Sequence, residues 1–106
     1  VILGVSSKKD IPDCRESPPI FMIEQMQEMG CNVNFHDPFV DEIRVNDGTM
    51  QSEDLEESLA TADIVVLATD HSCYNMRDIV AKSKHVLDTR GLTRKFGEHF
   101  PNVTLL

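Results

Sequence analysis

The sequence predicts an α/β fold: a three-layer sandwich on a mostly parallel five-stranded sheet, Rossmann- or flavodoxin-like. Three features of the chain point to it. Five short runs rich in aliphatic and β-branched residues recur, at residues 1–5, 33–35, 63–68, 85–87 and 103–106. Two of them, Val1-Ile2-Leu3-Gly4-Val5 and Ile64-Val65-Val66-Leu67-Ala68, are apolar nearly throughout rather than alternating, which is how strands covered on both faces read. Stretches with apolar residues at helical spacing lie between the runs, and repeated strand–helix–strand order implies parallel strands joined by right-handed crossovers. Numbering only these five strands, the expected order is 2-1-3-4-5.

The helices follow from their caps and stripes. Over Ser17–Met29, residues Met22, Ile23, Met26 and Met29 fall on one stripe, with Glu24, Gln25 and Glu28 elsewhere. Ser17 followed by Pro18 suits the N-cap and first turn, and Gly30 suits the stop. A second helix fits Ser52–Ala62, capped by Ser52, with Glu53 and Asp54 at its positive end and Leu55, Leu59 and Ala62 inward. A third fits Asn75–Ser83, with Met76, Ile79 and Val80 inward. Residues 41–63 hold eight acids and one base, read as a solvated helix face with its leading loop.

Length and composition narrow the function classes. At 106 residues and 12.0 kDa the chain makes one domain with one core. Eighteen acids against ten bases give a net charge of −8, which speaks against a nucleic-acid surface needing a broad basic face. No run approaches the ~18 apolar residues of a membrane span. Cys14, Cys31 and Cys73 are odd in number, widely spaced and never CxxC, so neither a disulfide framework nor a zinc site is expected, and the expected compartment is cytoplasmic. The chain starts inside an apolar run at Val1 without a Met, as an excised domain would.

The bases are not scattered. Nine of the ten lie in two segments: Lys8, Lys9 and Arg15 after the first strand, and Arg77, Lys82, Lys84, Arg90, Arg94 and Lys95 around the fourth. Lys8, Lys9, Arg15 and Arg90 sit just past carboxyl ends of strands, where open α/β sheets bind ligands. A positive spot on so acidic a chain fits a small anion such as phosphate; the competing reading pairs these bases with Asp10, Asp13 and Glu16. Neither GxGxxG nor GxxxxGK[ST] is present, so no ordinary nucleotide-binding loop is expected. Asp37-Pro38 reads as a turn.

These residues also resemble a known family. Lys8-Lys9-Asp10, Asp13 and Arg15-Glu16-Ser17-Pro18 are similar to the K-x(4)-D-x-R-E-S-P segment that opens the C-terminal domain of the UDP-glucose/GDP-mannose dehydrogenases. Gly30-Cys31-Asn32-Val33 resembles that domain's entry to the second strand, and Phe35-His36-Asp37-Pro38 its exit. Ala62-Asp63 through Thr69-Asp70-His71 resembles its third strand and turn, and Val86-Leu87-Asp88-Thr89-Arg90-Gly91 its D-x-R loop. The five pieces occur in order and at compatible spacings. Ser6-Ser7 stand where the family usually has an aromatic before the lysine.

The resemblance implies that residues 1–106 are the nucleotide-sugar-binding C-terminal domain of a longer NAD-dependent UDP-sugar 6-dehydrogenase of polysaccharide biosynthesis. Such an enzyme oxidises the sugar C6 alcohol of UDP-glucose or a UDP-N-acetylhexosamine to a uronic acid. By the resemblance, Lys8 and Arg90 bind the UDP- or GDP-sugar, and Arg15 reaches the NAD that an N-terminal domain holds. The family's catalytic cysteine lies in a segment this chain does not contain, so the chain alone is expected to be inactive. The implied partners are the rest of the dehydrogenase and, at full length, a homodimer or higher homo-oligomer; no nucleic acid, membrane or metal is implied. From the residues themselves, a lowered thiol pKa is conceivable for Cys14, Cys31 and Cys73 read as small filler, and His71 as a turn histidine satisfied by backbone. His36, His85 and His99 show no ligand spacing. The alternatives are a non-catalytic nucleotide- or phosphate-binding regulatory module on the same fold, and a receiver-like domain, which lacks its acidic pocket here.

Overall fold

In the computed structural model, which describes residues 1–106, the five apolar runs form one parallel sheet. Its strands are β1 (Ile2–Leu3), β2 (Phe35–His36), β5 (Val65–Leu67), β6 (Val86–Asp88) and β7 (Val103–Leu105). They lie in the order β2-β1-β5-β6-β7, which is the expected 2-1-3-4-5 once the hairpin strands are left out of the count. The side chains of β1 and β5 alternate between two cores. Ile2, Val5 and Val66 pack on one face with Phe35 and with Ile23 of α1 (Pro18–Glu28). Leu3, Val65 and Leu67 pack on the other, against Leu59 of α2 (Leu55–Thr61) and Met76, Ile79 and Val80 of α3 (Met76–Lys82). Double coverage explains why the two central runs are apolar throughout: Leu3, Val5, Val65 and Leu67 are completely buried.

Local chemistry sets the helix ends. Ser17 Oγ accepts from the Ile20 amide as N-cap and donates to the Val5 carbonyl at 2.5 Å, tying α1 to the end of β1. Helix α1 stops at Met29, and Gly30, at φ +88, turns the chain away. The stripe on α1 is narrower than its spacing predicts: Ile23 is buried, Met22 and Met26 are half-buried, and Met29 lies in solvent at the C-cap. Asp54, not Ser52, caps α2 by accepting from the Glu57 amide. The Ser52 hydroxyl instead accepts from the Asp37 amide at 3.0 Å.

The acidic segment is only partly helical. Its first half is an antiparallel hairpin, β3 (Glu42–Val45) and β4 (Gly48–Gln51), joined by Asn46-Asp47 with Asn46 at φ +49. Ile43 and Val45 face the core from this hairpin, and its polar positions face water, so the acids solvate a strand face as well as a helix. A 3₁₀ helix over Leu92–Phe96 follows β6.

Candidate functional site

The sheet changes direction between β1 and β5: β2 flanks β1 on one side, and β5, β6 and β7 continue on the other. Loops leaving the carboxyl ends of two such strands diverge and open a crevice. Here the crevice encloses about 80 Å³, lined by Ser7, Lys8 and Lys9 after β1, Thr69 and Asp70 after β5, and Arg90 after β6. A wider, shallower hollow of about 640 Å³ adjoins it, lined by Ser7, Lys8, Asp13, Arg15, Glu16 and Pro18. Lys8 borders both. The structure therefore brings Lys8 and Arg90 to one crevice and sets Arg15 in the neighbouring hollow.

The carboxylates decide which bases are free. Arg15 makes a two-point contact with Asp13, Nε to Oδ1 at 3.0 Å and Nη2 to Oδ2 at 2.9 Å. The Arg15 side-chain hydrogen bond holds the Asp13 carboxyl well below the usual carboxylate range, and the same bond raises the Arg15 guanidinium. Arg90 lies 3.7 Å from Asp70, a looser approach. Lys8 and Lys9 form no ion pair. Local pairing thus accounts for Arg15 but leaves two ammonium groups unneutralised at the crevice mouth, as an anion site requires.

The backbone at the end of β1 does not cradle a phosphate. The amides of Val5 and Ser6, which such a loop would offer, donate to Asp37 Oδ2 at 2.8 and 3.3 Å. Asp37 Oδ1 accepts from the Phe39 amide, so Asp37 forms the expected turn and is also a fully buried carboxylate. An internal anion occupying these donors is incompatible with a dinucleotide diphosphate in the same place. The amides at the end of β1 therefore do not fit an NAD cradle.

His71 completes the buried network. Its Nδ1 accepts from the Asp10 amide at 2.8 Å, so the ring proton sits on Nε2, 2.9 Å from Asp37 Oδ2. His71 is therefore satisfied by backbone on one side only; its other partner is the buried carboxylate. Ser6, the first of the two serines before Lys8, is buried: its hydroxyl donates to the Lys8 carbonyl at 2.9 Å and lies 3.1 Å from His71 Nε2.

Asp88 organises the loop that carries Arg90. Its Oδ1 accepts from the amides of Arg90 and Gly91, at 3.0 and 2.8 Å, and its Oδ2 from the Thr93 amide and hydroxyl, both at 2.8 Å. Burial pushes this carboxyl up, but the hydrogen bonds from Thr93 and the Arg90 amide outweigh it and leave the group below its ordinary value. Sequence reasoning missed Asp37, Asp88 and His71 as organisers. The available signal was an Asp at the exit of each of two strands and a Thr-Asp-His turn after the third.

The cysteines depart from expectation. Burial raises the Cys14 thiol, and Asp37 and Asp13 raise it further, so the nearby bases do not lower it. Cys31 and Cys73 are exposed rather than core filler: Cys31 follows the turn that ends α1, and Cys73 lies in the turn between β5 and α3. His36 bonds Tyr74 at 3.1 Å, His85 bonds Thr104 at 2.8 Å, and no group of His, Cys, Asp and Glu side chains could hold a metal ion.

Residues 1–95 match the model of the UDP-glucose/GDP-mannose dehydrogenase family, UDP binding domain. The chain belongs to this family. Among curated members, the NDP-N-acetyl-D-galactosaminuronic acid dehydrogenase of Ralstonia nicotianae is 38% identical over 95 residues, 84% of this chain and 22% of that protein. The UDP-N-acetyl-D-mannosamine dehydrogenase of Methanocaldococcus jannaschii is 26% identical over 102 residues, 89% of this chain and 23% of that one. Of solved members, the UDP-N-acetyl-mannosamine dehydrogenase of Staphylococcus aureus superposes with a TM-score of 0.67 at 28% identity, covering 98% of this chain and 24% of that one. The chain thus spans under a quarter of the length of these dehydrogenases, and corresponds to their UDP-binding domain.

Proposed function

We propose that residues 1–106 act as the nucleotide-sugar-binding domain of an NAD-dependent dehydrogenase that oxidises the C6 alcohol of a UDP-sugar to a carboxylate. The observation that carries this reading is the crevice between β1 and β5, where Lys8 and Lys9 stand unpaired opposite Arg90. An ammonium and a guanidinium converging from different strands suit a diphosphate: Arg presents a planar fork, Lys a reachable point charge. Lys8 and Arg90 hold the nucleotide-sugar, with UDP preferred over GDP. Arg15, facing the adjoining hollow, contacts NAD that the rest of the dehydrogenase holds, and that remainder supplies the hydride-transfer and thioester chemistry. The assembly is a cytoplasmic homodimer or higher homo-oligomer.

Calorimetric titration of UDP and GDP into the 106-residue chain tests the reading. Lys8→Ala and Arg90→Ala should each weaken UDP by about 10- to 150-fold, the equivalent of losing a charge-assisted contact of ~1.5–3 kcal/mol. Arg15→Ala should leave UDP affinity unchanged. Absence of UDP binding by the parent, or equal losses at all three positions, overturns the assignment.

A further inference from the structure

The turn that carries Lys8 and Lys9 is fastened at both ends to one buried pair. At its start, the Val5 and Ser6 amides bond Asp37, and the Ser6 hydroxyl reaches the Lys8 carbonyl. At its far end, Asp10 adopts φ +63, a left-handed conformation that costs most residues energy and Asp or Asn less. Three hydrogen bonds hold it there. The Asp10 amide donates to His71 Nδ1 at 2.8 Å, and His71 is itself anchored on Asp37. The Ser72 amide donates to Asp10 Oδ1 at 2.8 Å, and the Ser72 hydroxyl to Oδ2 at 2.5 Å.

We propose that Asp10 is a positioning residue for the anion site, latching the Lys8-Lys9 turn to the His71-Ser72 turn so that Lys8 faces the crevice before ligand arrives. The inference rests on the reading of that crevice given above. Asp10 is next to Lys9 in sequence, yet its carboxylate is directed at Ser72, and the Ser72 hydroxyl holds its pKa below the usual carboxylate range. A carboxylate occupied in this way orders the turn without neutralising the lysines. With no ion pair to fix Lys8, the latch is what limits where its ammonium group can reach. Ordering before binding strengthens association by removing part of its entropic cost.

The test is UDP calorimetry on the 106-residue chain carrying Asp10→Gly, Ser72→Ala, Lys8→Ala, or Lys8→Ala with Asp10→Gly. Glycine keeps the positive φ and the amide bond to His71 and removes the carboxylate's bonds to Ser72, so the fold should persist, with a urea midpoint only slightly below the parent's. Asp10→Gly and Ser72→Ala should each weaken UDP by about two- to tenfold. Asp10→Asn, which tolerates the same backbone and retains an acceptor, should restore part of the loss. The double variant should bind no more weakly than Lys8→Ala alone, because the latch acts through Lys8. Parent-like binding by Asp10→Gly alongside weak binding by Lys8→Ala refutes the latch and leaves the site reading standing. Additive losses in the double variant also refute it. Parent-like binding by Lys8→Ala overturns the site reading, and this inference with it.

Discussion

Gly4 and Thr69 approach so closely that a methyl group on Gly4 would lie 2.4 Å from Thr69 Cβ and 2.8 Å from the Thr69 backbone nitrogen and oxygen. This contact joins the ends of the two strands that flank the crevice, and Gly4 also holds φ +89. Both sterics and backbone conformation therefore demand glycine. Gly4→Ala should destabilise the chain by about 2–5 kcal/mol, combining backbone strain with overpacking. Adding Thr69→Gly should recover only part, since the backbone atoms remain in the way. Urea unfolding of the single and double variants reads both effects; a Gly4→Ala midpoint equal to the parent's would mean the strand ends can separate freely.

Most of the fold was legible because its signals are local. Unbroken apolar runs marked the strands, and Ser17-Pro18 and Asn75 marked helix starts that the structure keeps. The hairpin was hidden by charge. Ile43 and Val45 alternate with Glu42 and Arg44, and Asn46-Asp47 before Gly48 is a recognisable tight-turn sequence, but in so acidic a segment these residues read as the loop leading into a solvated helix. Within the site, Lys8 and Arg90 were visible from the distribution of bases. Which acids would take which bases was not, because Asp10 chooses a partner 62 residues away over the lysine beside it. The Asp37–His71 contact likewise spans 34 positions and exists only once β2 and β5 flank β1.

Asp88 links stability to pH through the loop that bears Arg90. Its folded-state pKa lies below the ordinary value, so in the window between the two the unfolded chain binds the extra proton. Stability is full above the unfolded value and is lost as pH falls through the lower, folded one. Urea midpoints should therefore drop steeply below about pH 4. Asp88→Asn should be less stable at pH 7 by about 1–3 kcal/mol, since an amide NH₂ cannot accept from the Thr93 amide. It should also show a shallower acid slope. Asp10 and Asp13 are depressed as well, so the informative quantity is the difference in slope between variant and parent. Identical slopes would mean that the Asp88 carboxylate contributes nothing to acid stability.

Arg15 and Arg90 should separate kinetically in a full-length dehydrogenase carrying this domain. Arg15 presents a side chain 89% exposed, bonded only to its neighbour Asp13, so removing it should barely alter folding. Its hollow shares Ser7, Lys8 and Pro18 with the crevice but not Arg90, and the proposed function gives the two arginines different ligands. Arg90→Ala and Lys8→Ala should raise KM for the nucleotide-sugar more than KM for NAD⁺, and Arg15→Ala should do the reverse. A lost charge-assisted contact of ~1.5–3 kcal/mol corresponds to about 10- to 150-fold in kcat/KM for the substrate concerned. Steady-state kinetics with each substrate varied at saturating levels of the other measures the split. Equal changes in both KM values at every position would mean that crevice and hollow serve one ligand, and the division of roles between Arg15 and Arg90 would be wrong.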